Sequence, residues 1–242
     1  MVPHNAENFR IVVIGGASGG IGSACCTVFA SSGWRVLALS RSFPNTKSTE
    51  GAITRIRCDF SESASVKQAL NDALTEEEGI DAVIHCIGDI PQPADVQHTP
   101  WMRWENTLRV CLGTAIELAN GTYERVCARS GSYIFISSVA SRHTYPGIAD
   151  YCAAKSALET YSEHLALSLA TKGGRSNCIA PAVVDTRLLH KAPFSVEEAA
   201  SWHKLGRVGA PHEIAEMAHY LAGSASAWIT GQTIVMDGGM LL

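Results

Sequence analysis

A tyrosine, a lysine and a serine in the middle of the chain are the side chains best suited to acid–base chemistry. Tyr151 and Lys155 are four positions apart, so on a helix their side chains lie on one face. A nearby ammonium group favours the phenolate, and we expect it to hold the Tyr151 pKa below its ordinary value of about 10. Ser138 ends an apolar run and could bring its hydroxyl to the same point. Such a set could donate a proton to an oxygen that gains negative charge.

The elements that would position these groups can be predicted from the residues around them. Residues 133–136 form an apolar run typical of a buried strand, and Ser138 lies just beyond it. The chain then crosses a Pro-Gly turn and enters a helical pattern that continues to about Thr171. A Tyr–Lys pair at this spacing, taken alone, favours an ordinary surface helix. The start of the chain decides between the two interpretations.

A glycine-rich turn near the start of the chain predicts a nucleotide site. Residues 9–14 are typical of a strand, and a helix follows the turn as far as Ser32. Glycines let the backbone turn tightly and approach a ligand, and N–H groups at a helix N-terminus favour an anion. A strand, a G-x-x-x-G-x-G turn and a helix in this order therefore indicate a cradle for a diphosphate. The candidate contacts in the turn are Gly16, Ser18, Gly20, Ile21 and Gly22.

The end of the second predicted strand, residues 35–40, indicates which nucleotide binds. In dinucleotide-binding folds an acidic side chain here binds the adenosine ribose 2′-hydroxyl, whereas an arginine accommodates a 2′-phosphate. Ser40 and Arg41 supply a hydroxyl and a guanidinium but no acid, which favours NADP(H) over NAD(H). A solvated surface arginine is the alternative. Asp59, at the end of a third predicted strand over residues 53–59, is a candidate adenine contact, with an ordinary loop aspartate as its alternative.

Composition and charge exclude several classes of function. The 242 residues are 46% hydrophobic and 17% charged, with a formal net charge of −4. This predicts one soluble domain with a large core and no general attraction to nucleic acid or anionic membranes. No apolar run is long enough to span a membrane, and residues 1–8 are too polar for a signal peptide, so we expect a cytoplasmic protein with a flexible N-terminus. The eight cysteines include no C-x-x-C pair, which predicts reduced core thiols and no metal site.

The rest of the chain alternates short apolar runs with helical patterns, which predicts a parallel sheet with helices on both faces. Further helices are predicted over residues 63–78, from an N-cap at Thr99 and Pro100 to about Arg129, and over residues 212–222. Further strands are predicted over residues 80–88, 176–180 and 233–236. We find no repeat or linker and expect a single domain over residues 1–242. Residues 187–209 carry little strand pattern, and we expect them to form a helical flap over a substrate pocket.

Together these segments resemble the short-chain dehydrogenase/reductase family over essentially the whole chain, and most nearly its 3-oxoacyl-acyl-carrier-protein reductases and related ketoreductases. The matching segments are residues 16–22, 136–138, 151–155, 177–181, 206–209, 229–232 and 237–239. Each is short, but their order and spacing together are highly specific. The resemblance implies an α/β fold with a single Rossmann-type doubly wound parallel sheet. It also implies an NADP-dependent oxidoreductase acting on CH–OH or C=O groups, assembled as a homotetramer or homodimer.

The resemblance also implies a role for each candidate residue. Tyr151 is then the proton donor to the carbonyl oxygen, Ser138 orients and stabilises that oxygen, and Lys155 lowers the Tyr151 pKa and binds the nicotinamide ribose. The further cofactor contacts that it implies are Gly88, the Val184 backbone and the Thr186 hydroxyl. The chemistry agrees, because hydride transfer to a carbonyl carbon develops negative charge on oxygen that hydroxyl donors and a cation stabilise.

Two positions depart consequentially from the family pattern. In the long helix the family's relay asparagine is replaced by Cys111, and a thiol cannot reproduce the hydrogen bonds of an amide. We therefore expect an altered proton relay from Lys155 to solvent. The family's Asn-Asn-Ala-Gly at the end of a strand is His85-Cys86-Ile87-Gly88 here.

Three functions remain compatible with the sequence. The first is an NADPH-dependent reductase of a carbonyl, either a 3-oxoacyl thioester or a related ketone. The second is an NAD(P)-dependent alcohol dehydrogenase of another small substrate. The third is a nucleotide-binding member with weak or lost turnover, against which the intact Ser138, Tyr151 and Lys155 weigh.

The resemblance also implies that an acyl carrier protein docks on Arg129 and Lys172, near the active-site entrance. The alternative is that cations at helix C-terminal ends merely complement the helix dipole.

Overall fold

The computed structural model describes residues 9–45, 47–75 and 79–242. Residues 1–8, for which we expect flexibility, lie outside the described residues, as do residues 76–78 at the end of a predicted helix. The strands are β1 (Ile11–Gly15), β2 (Arg35–Ser40), β3 (Ser48–Glu50), β4 (Ile53–Arg57), β5 (Ala82–His85), β6 (Ser132–Ile136), β7 (Arg175–Pro181) and β8 (Thr233–Met236). The α-helices are α1 (Gly20–Ser31), α2 (Ser63–Asn71), α3 (Trp101–Leu108), α4 (Thr114–Cys127), α5 (Ala149–Ala170), α6 (Val196–Ser201) and α7 (Pro211–Ala222). A π-helical turn over Arg109–Gly113 joins α3 to α4, and 3-10 turns cover Val96–His98, Val139–Ser141, Leu189–Lys191 and Ser224–Ser226.

The strands form an eight-stranded sheet in the order β3-β4-β2-β1-β5-β6-β7-β8. Every neighbouring pair is parallel except β3 with β4. Because successive side chains of a strand point to opposite faces, Val13 and Leu37 pack in a core with α2, α4 and α5, whereas Val12 and Val36 pack in a core with α1 and α7. The α/β fold predicted from the sequence, a doubly wound parallel sheet covered on both faces, is confirmed.

The edge of the sheet beyond β4 differs from the prediction. The antiparallel strand β3 was absent from the predicted set because its residues, Ser48–Glu50, are polar and exposed on all sides. The strand predicted over residues 53–59 ends at Arg57, so Asp59 lies in the loop that follows. The helix predicted over residues 63–78 ends at Asn71. Apolar periodicity carries little information at a sheet edge, because few side chains there are buried.

The long helix predicted from Thr99 is a composite of α3, the π-helical turn and α4. The predicted N-cap is wrong, because Pro100 occupies that position and the Thr99 hydroxyl donates to the Asp95 carbonyl at 2.8 Å. The π-helical turn contains Cys111, the position at which the sequence departs from the family pattern. Such turns occur mostly within α-helices and are frequent at functional sites.

The predicted flap contains the 3-10 turn Leu189–Lys191 and α6, and its role over a substrate stays a prediction. Among the described residues, no helix combines the length with the apolar character that a bilayer span requires.

His85 joins β5 to the C-terminal side of the π-helical turn. The Thr114 hydroxyl donates to the Val110 carbonyl at 2.7 Å, so it must accept its 2.8 Å hydrogen bond from His85 Nε2. The imidazole is fully buried, and its Nδ1 has no hydrogen-bond partner within the described part of the chain. Burial, and then the charge of Lys155, lower the pKa of His85 to about 3, so the ring is neutral in the folded protein.

The buried imidazole should make stability depend on pH. Below an unfolded pKa of about 6.5 the unfolded chain binds a proton at His85 that the folded chain does not bind until about pH 3, so acid destabilises the fold. The free energy of unfolding, measured by urea denaturation, should fall between about pH 7 and about pH 5. We expect this fall to be smaller in His85→Asn than in the wild type by about 2 kcal/mol. His164→Asn, an exposed change on α5, should follow the wild type. Parallel pH profiles for wild type and His85→Asn would contradict the assignment.

Candidate active site

The carboxyl ends of the central parallel strands lie at the same edge of the sheet, and the candidate residues follow them. Gly16 follows β1, Gly88 lies just after β5, and Ser138 lies just after β6. The segment with Val184 and Thr186 follows β7. Crevices outside the carboxyl ends of parallel strands are where ligands bind in open α/β sheets.

The structure brings Tyr151, Ser138 and Lys155 together at this edge. Tyr151 and Lys155 lie in the first two turns of α5 and are both buried. The Ser138 hydroxyl lies close enough to the Tyr151 phenol to lower its pKa as a hydrogen-bond donor. It also accepts from the Ala140 backbone N–H at 3.2 Å, which fixes its direction. The Lys155 ammonium lies 5.7 Å from the centre of the Tyr151 ring and donates to the Ile136 carbonyl at 2.8 Å.

The expectation that Lys155 lowers the Tyr151 pKa is wrong for this structure of the protein alone. Burial raises the Tyr151 pKa above its ordinary value, and the hydrogen bond from Ser138 offsets only part of that rise. The Lys155 pKa is itself lowered, mainly by burial. The physical reason is that the phenolate loses its hydration, while the ammonium is directed to the Ile136 carbonyl and not to the phenol oxygen. Tyr151 therefore keeps its proton at neutral pH.

Cys111 lies directly behind this group. The thiol is fully buried and packs in a small apolar cluster with Ala140 and Tyr151. Its Sγ is 4.0 Å from the Asp89 carbonyl oxygen, the long separation of a weak thiol hydrogen bond. A Cβ atom added at Gly88 would lie 3.1 Å from Lys155 Nζ and 4.0 Å from Cys111 Sγ, so Gly88 leaves the space that the ammonium occupies.

The glycine turn has the backbone features that a diphosphate needs. Gly16 has a φ of +79°, and a Cβ atom at Gly22 would collide with the Gly16 carbonyl. Among the described residues no side chain caps the N-terminus of α1, so its first N–H groups remain available to an anion. A Cβ atom at Gly20 would lie 2.7 Å from Thr186 Cγ2, so the turn faces the segment after β7 directly.

The segment after β7 is held by hydrogen bonds on both sides. The Asp185 N–H donates to the Gly209 carbonyl at 2.8 Å, beside the buried Val184. Arg187 Nη2 donates to the Ser18 carbonyl at 2.9 Å. The first residue of the predicted flap therefore rests on the glycine turn.

The end of β2 carries a cluster of hydroxyls that includes a residue missed by sequence analysis. Ser18 Oγ is 2.8 Å from the Oγ atoms of both Ser40 and Ser42, and these two are 3.0 Å apart. Arg41 is exposed beside them. Ser42 was missed because only its position after the strand, and no motif, marks it.

Asp59 is placed less favourably for its predicted role. Its Oδ1 accepts from the Ser61 N–H at 3.0 Å and from the Ser61 hydroxyl at 2.8 Å. These two hydrogen bonds are the main causes that lower the Asp59 pKa, followed by the charges of Arg41 and Arg57. The carboxylate thus organises its own loop, and its contact with adenine stays a prediction.

Two buried acids on α5, which the sequence analysis did not identify, support the catalytic set. Glu159, one turn beyond Lys155, accepts hydrogen bonds from the hydroxyls of Ser137 and Ser141 and lies 3.4 Å from Arg142 Nε. It thereby holds the segment that presents Ser138. Asp150, next to Tyr151, binds the half-buried Arg103 from α3. The sequence signal for both was their helical spacing from Tyr151 and Lys155.

Arg129 and Lys172 do not lie near this entrance within one chain. They follow the C-terminal ends of α4 and α5, whereas Tyr151 lies in the first turn of α5. At 1.5 Å per residue, Lys172 is about 30 Å from Tyr151, at the opposite edge of the sheet. The expected position of these two residues was wrong, because helices that connect parallel strands run back across the sheet. Their C-terminal ends therefore lie at the edge opposite the carboxyl ends of the strands.

In the parts of the chain that the structure describes, no three His, Cys, Asp or Glu side chains are grouped so that they could hold a metal ion.

Comparison with known proteins adds evidence beyond geometry. The family model described as Enoyl-(Acyl carrier protein) reductase matches residues 16–241. The 3-oxoacyl-[acyl-carrier-protein] reductase FabG of Chlamydia trachomatis serovar D is 29% identical, over 96% of this chain and 97% of its own. D-threitol dehydrogenase of Mycolicibacterium smegmatis is 31% identical, over 95% of this chain and 92% of its own.

Solved structures agree with these relatives. A short chain dehydrogenase/reductase family oxidoreductase from Burkholderia thailandensis has a TM-score of 0.84 and 27% identity, over 96% of this chain and 92% of that one. ElxO with NADP bound has a TM-score of 0.88 over 96% of this chain and 99% of that one, and at 22% identity it shows the fold alone. Fold, family model and relatives agree over almost the full length of the chain, which belongs to the short-chain dehydrogenase/reductase family of oxidoreductases.

Proposed function

We propose that the protein is an NADPH-dependent reductase that transfers a hydride to a carbonyl group and yields a hydroxy product. The observation that carries this proposal is the placement of the Ser138 hydroxyl beside the buried Tyr151 phenol, with the Lys155 ammonium 5.7 Å from the phenol ring. Two hydroxyl groups converge where a carbonyl oxygen would gain charge, and the cation lies behind them. The substrate proposed is a 3-oxoacyl thioester or a related ketone.

The chain's own residues fit a dinucleotide. The glycine turn, with Gly16, Ser18, Gly20, Ile21 and Gly22, would hold the diphosphate, and the Ser40–Arg41 end of β2 would hold a 2′-phosphate. The remaining contacts proposed are Asp59, Gly88, Tyr151, Lys155, Val184 and Thr186. When bound, the nicotinamide supplies the hydride.

Tyr151 acts as the general acid in this proposal. Burial keeps the proton on the phenol at neutral pH, where it is available for transfer to the substrate oxygen. Ser138 donates a second hydrogen bond to that oxygen and keeps the phenol in place. Lys155 stabilises the negative charge as the proton leaves Tyr151.

A second candidate is an NAD(P)-dependent alcohol dehydrogenase of a small polyol. The observation in its favour is the 31% identity to a D-threitol dehydrogenase. Steady-state assays in both directions, with both cofactors and with panels of ketones and polyols, separate the two candidates. A chain that turns over neither panel would be a nucleotide-binding member without activity.

The proposal also includes the assembly of the protein from several copies of the chain. Trp228 is 99% exposed and Leu242 is 94% exposed in the isolated chain. Burial of such side chains against further copies is consistent with a homotetramer or homodimer.

Removal of the phenol hydroxyl tests the catalytic assignment. Tyr151→Phe should lower kcat on an accepted ketone by about 10²–10⁴-fold, the usual contribution of a general acid. NADPH affinity, measured by fluorescence titration, should stay nearly intact because Tyr151 is only one of many proposed cofactor contacts, whereas Lys155→Ala should weaken both turnover and cofactor binding. Tyr123→Phe, a tyrosine of α4 outside the site, serves as the control. Retention of most of the kcat in Tyr151→Phe would contradict the proposal.

Arg41 tests the cofactor assignment. A charge-assisted bond to phosphate is worth roughly 1.5–3 kcal/mol, so wild type should bind NADPH at least about tenfold more tightly than NADH. Arg41→Ala should weaken NADPH binding by a similar factor and leave NADH binding unchanged. Equal affinities of the wild type for the two cofactors would exclude this assignment.

A carrier-linked substrate can be tested through Arg129 and Lys172. Because these residues lie at the far edge of their own chain, docking there would serve the site of a partner subunit in an oligomer. Arg129→Glu combined with Lys172→Glu should raise the KM for a carrier-linked 3-oxoacyl substrate. Added salt should also raise this KM for the wild-type enzyme, because salt screens exposed charges. Turnover of a small free ketone should not change. An equal effect on both substrates, or on neither, would exclude docking at this surface.

A further inference from the structure

An ion pair buried beside the proposed proton donor is not explained by any of the roles above. Asp150 is 1% exposed in the first turn of α5, directly before Tyr151. Its carboxylate accepts from Arg103 Nε at 2.9 Å, from Arg103 Nη2 at 3.1 Å and from the Thr107 hydroxyl at 2.8 Å. The Tyr151 backbone N–H also helps to lower the Asp150 pKa. The carboxylate therefore connects α3 to the residue that carries the phenol.

Arg103 extends the connection to two loops. Its Nη1 donates to the Gln92 carbonyl at 2.6 Å, in the segment after β5, and its Nη2 donates to the Gly147 carbonyl at 3.2 Å, in the turn before α5. The Ala94 N–H also donates to the Gly147 carbonyl, at 2.9 Å. Gly147 has a φ of +82°, and a Cβ atom there would lie 2.8 Å from Pro93 Cβ. The two loops thus touch, and one guanidinium joins both of them to α5.

The charges in this arrangement are well matched. Burial alone would raise the Asp150 pKa, but the bonds from Arg103 and Thr107 outweigh burial and hold it below the ordinary value. The positive end of the α5 dipole favours the carboxylate as well. A buried pair of this kind contributes little net stability, yet removal of one partner leaves an uncompensated charge. The role of the pair is therefore better explained by the relative positions of α3, α5 and the two loops, which it fixes.

We propose that Arg103 and Asp150 are positioning residues for Tyr151. The ion pair fixes the first turn of α5 against α3 and the loops over residues 89–100 and 143–148. It thereby holds the phenol beside Ser138, where both hydroxyls can reach the substrate oxygen that receives the proton. This proposal rests on the role of Tyr151 proposed above. A misplacement of about 1 Å in a reacting group can reduce a rate by about 10²-fold.

The test compares Asp150→Asn, Arg103→Gln and the double variant on a ketone that the wild type accepts. Each single variant should lower kcat at least about tenfold, while NADPH affinity by fluorescence titration stays within about twofold. The double variant should regain part of the lost kcat, because it leaves neither buried charge unpaired. Glu50→Gln, which breaks the exposed Arg55–Glu50 pair at the sheet edge, is the matched control and should not change kcat.

A merely structural role gives a different result. If the single variants melt at lower temperature but keep a kcat within about twofold of wild type, assayed well below melting, the positioning proposal is overturned. The same holds if kcat and NADPH affinity fall together, since the damage would then extend to the whole fold.

Hydrogen exchange separates this proposal from the proposed function. In Asp150→Asn, amide exchange should rise in residues 89–100 and 143–152 and stay unchanged in β7, whether or not a substrate is known. If Tyr151→Phe keeps its activity, the proposed function fails and the positioning role fails with it, although the change in exchange would still show that the pair joins the loops. If Tyr151→Phe is inactive and Asp150→Asn is fully active, only the positioning role fails.

Discussion

Parallel pairing of the central strands is the constraint on which the candidate site depends. Because β1, β5, β6 and β7 run in the same direction, their carboxyl ends meet at a single edge of the sheet. The glycine turn, Gly88 and Ser138 come from segments far apart in the chain, and only this edge brings them together. The same topology sends Arg129 and Lys172 to the opposite edge.

Helix α5 supplies the rest of the site, and buried charged side chains hold this helix in place. Its first three turns carry Asp150, Lys155 and Glu159, each less than a tenth exposed. Each charge has partners from a different element: Arg103 on α3, the Ile136 carbonyl of β6, and the hydroxyls of Ser137 and Ser141. Burial of a charge is costly unless it is paired and hydrogen-bonded, so any displacement of α5 would be opposed by three separate sets of interactions. This makes the position of Tyr151 unusually well determined for a residue at the start of a helix.

Family membership and substrate choice rest on different parts of the molecule. The relatives include a 3-oxoacyl-[acyl-carrier-protein] reductase and a D-threitol dehydrogenase at nearly the same identity. The residues that would bind the nucleotide and carry the proton lie on the sheet edge and α5, which such a family shares. The segments over residues 89–100, 143–148 and 187–209 are largely loops, and loops differ more between members of a fold than the elements that they connect.

The amino-acid sequence by itself was enough to predict the alternating strands and helices, the covered parallel sheet and the set Ser138, Tyr151 and Lys155. The fold predictions are confirmed, because apolar periodicity and glycine turns are local properties of the chain. The structure places Ser138, Tyr151 and Lys155 together, and their catalytic roles stay a prediction. The polar edge strand β3, the π-helical turn at Cys111 and the partners of Asp150 and Glu159 required the tertiary structure. The pKa of Tyr151 required it too. A positive neighbour in the sequence predicts a lowered pKa, but burial and the direction of the Lys155 ammonium decide it, and both depend on contacts between residues distant in the chain.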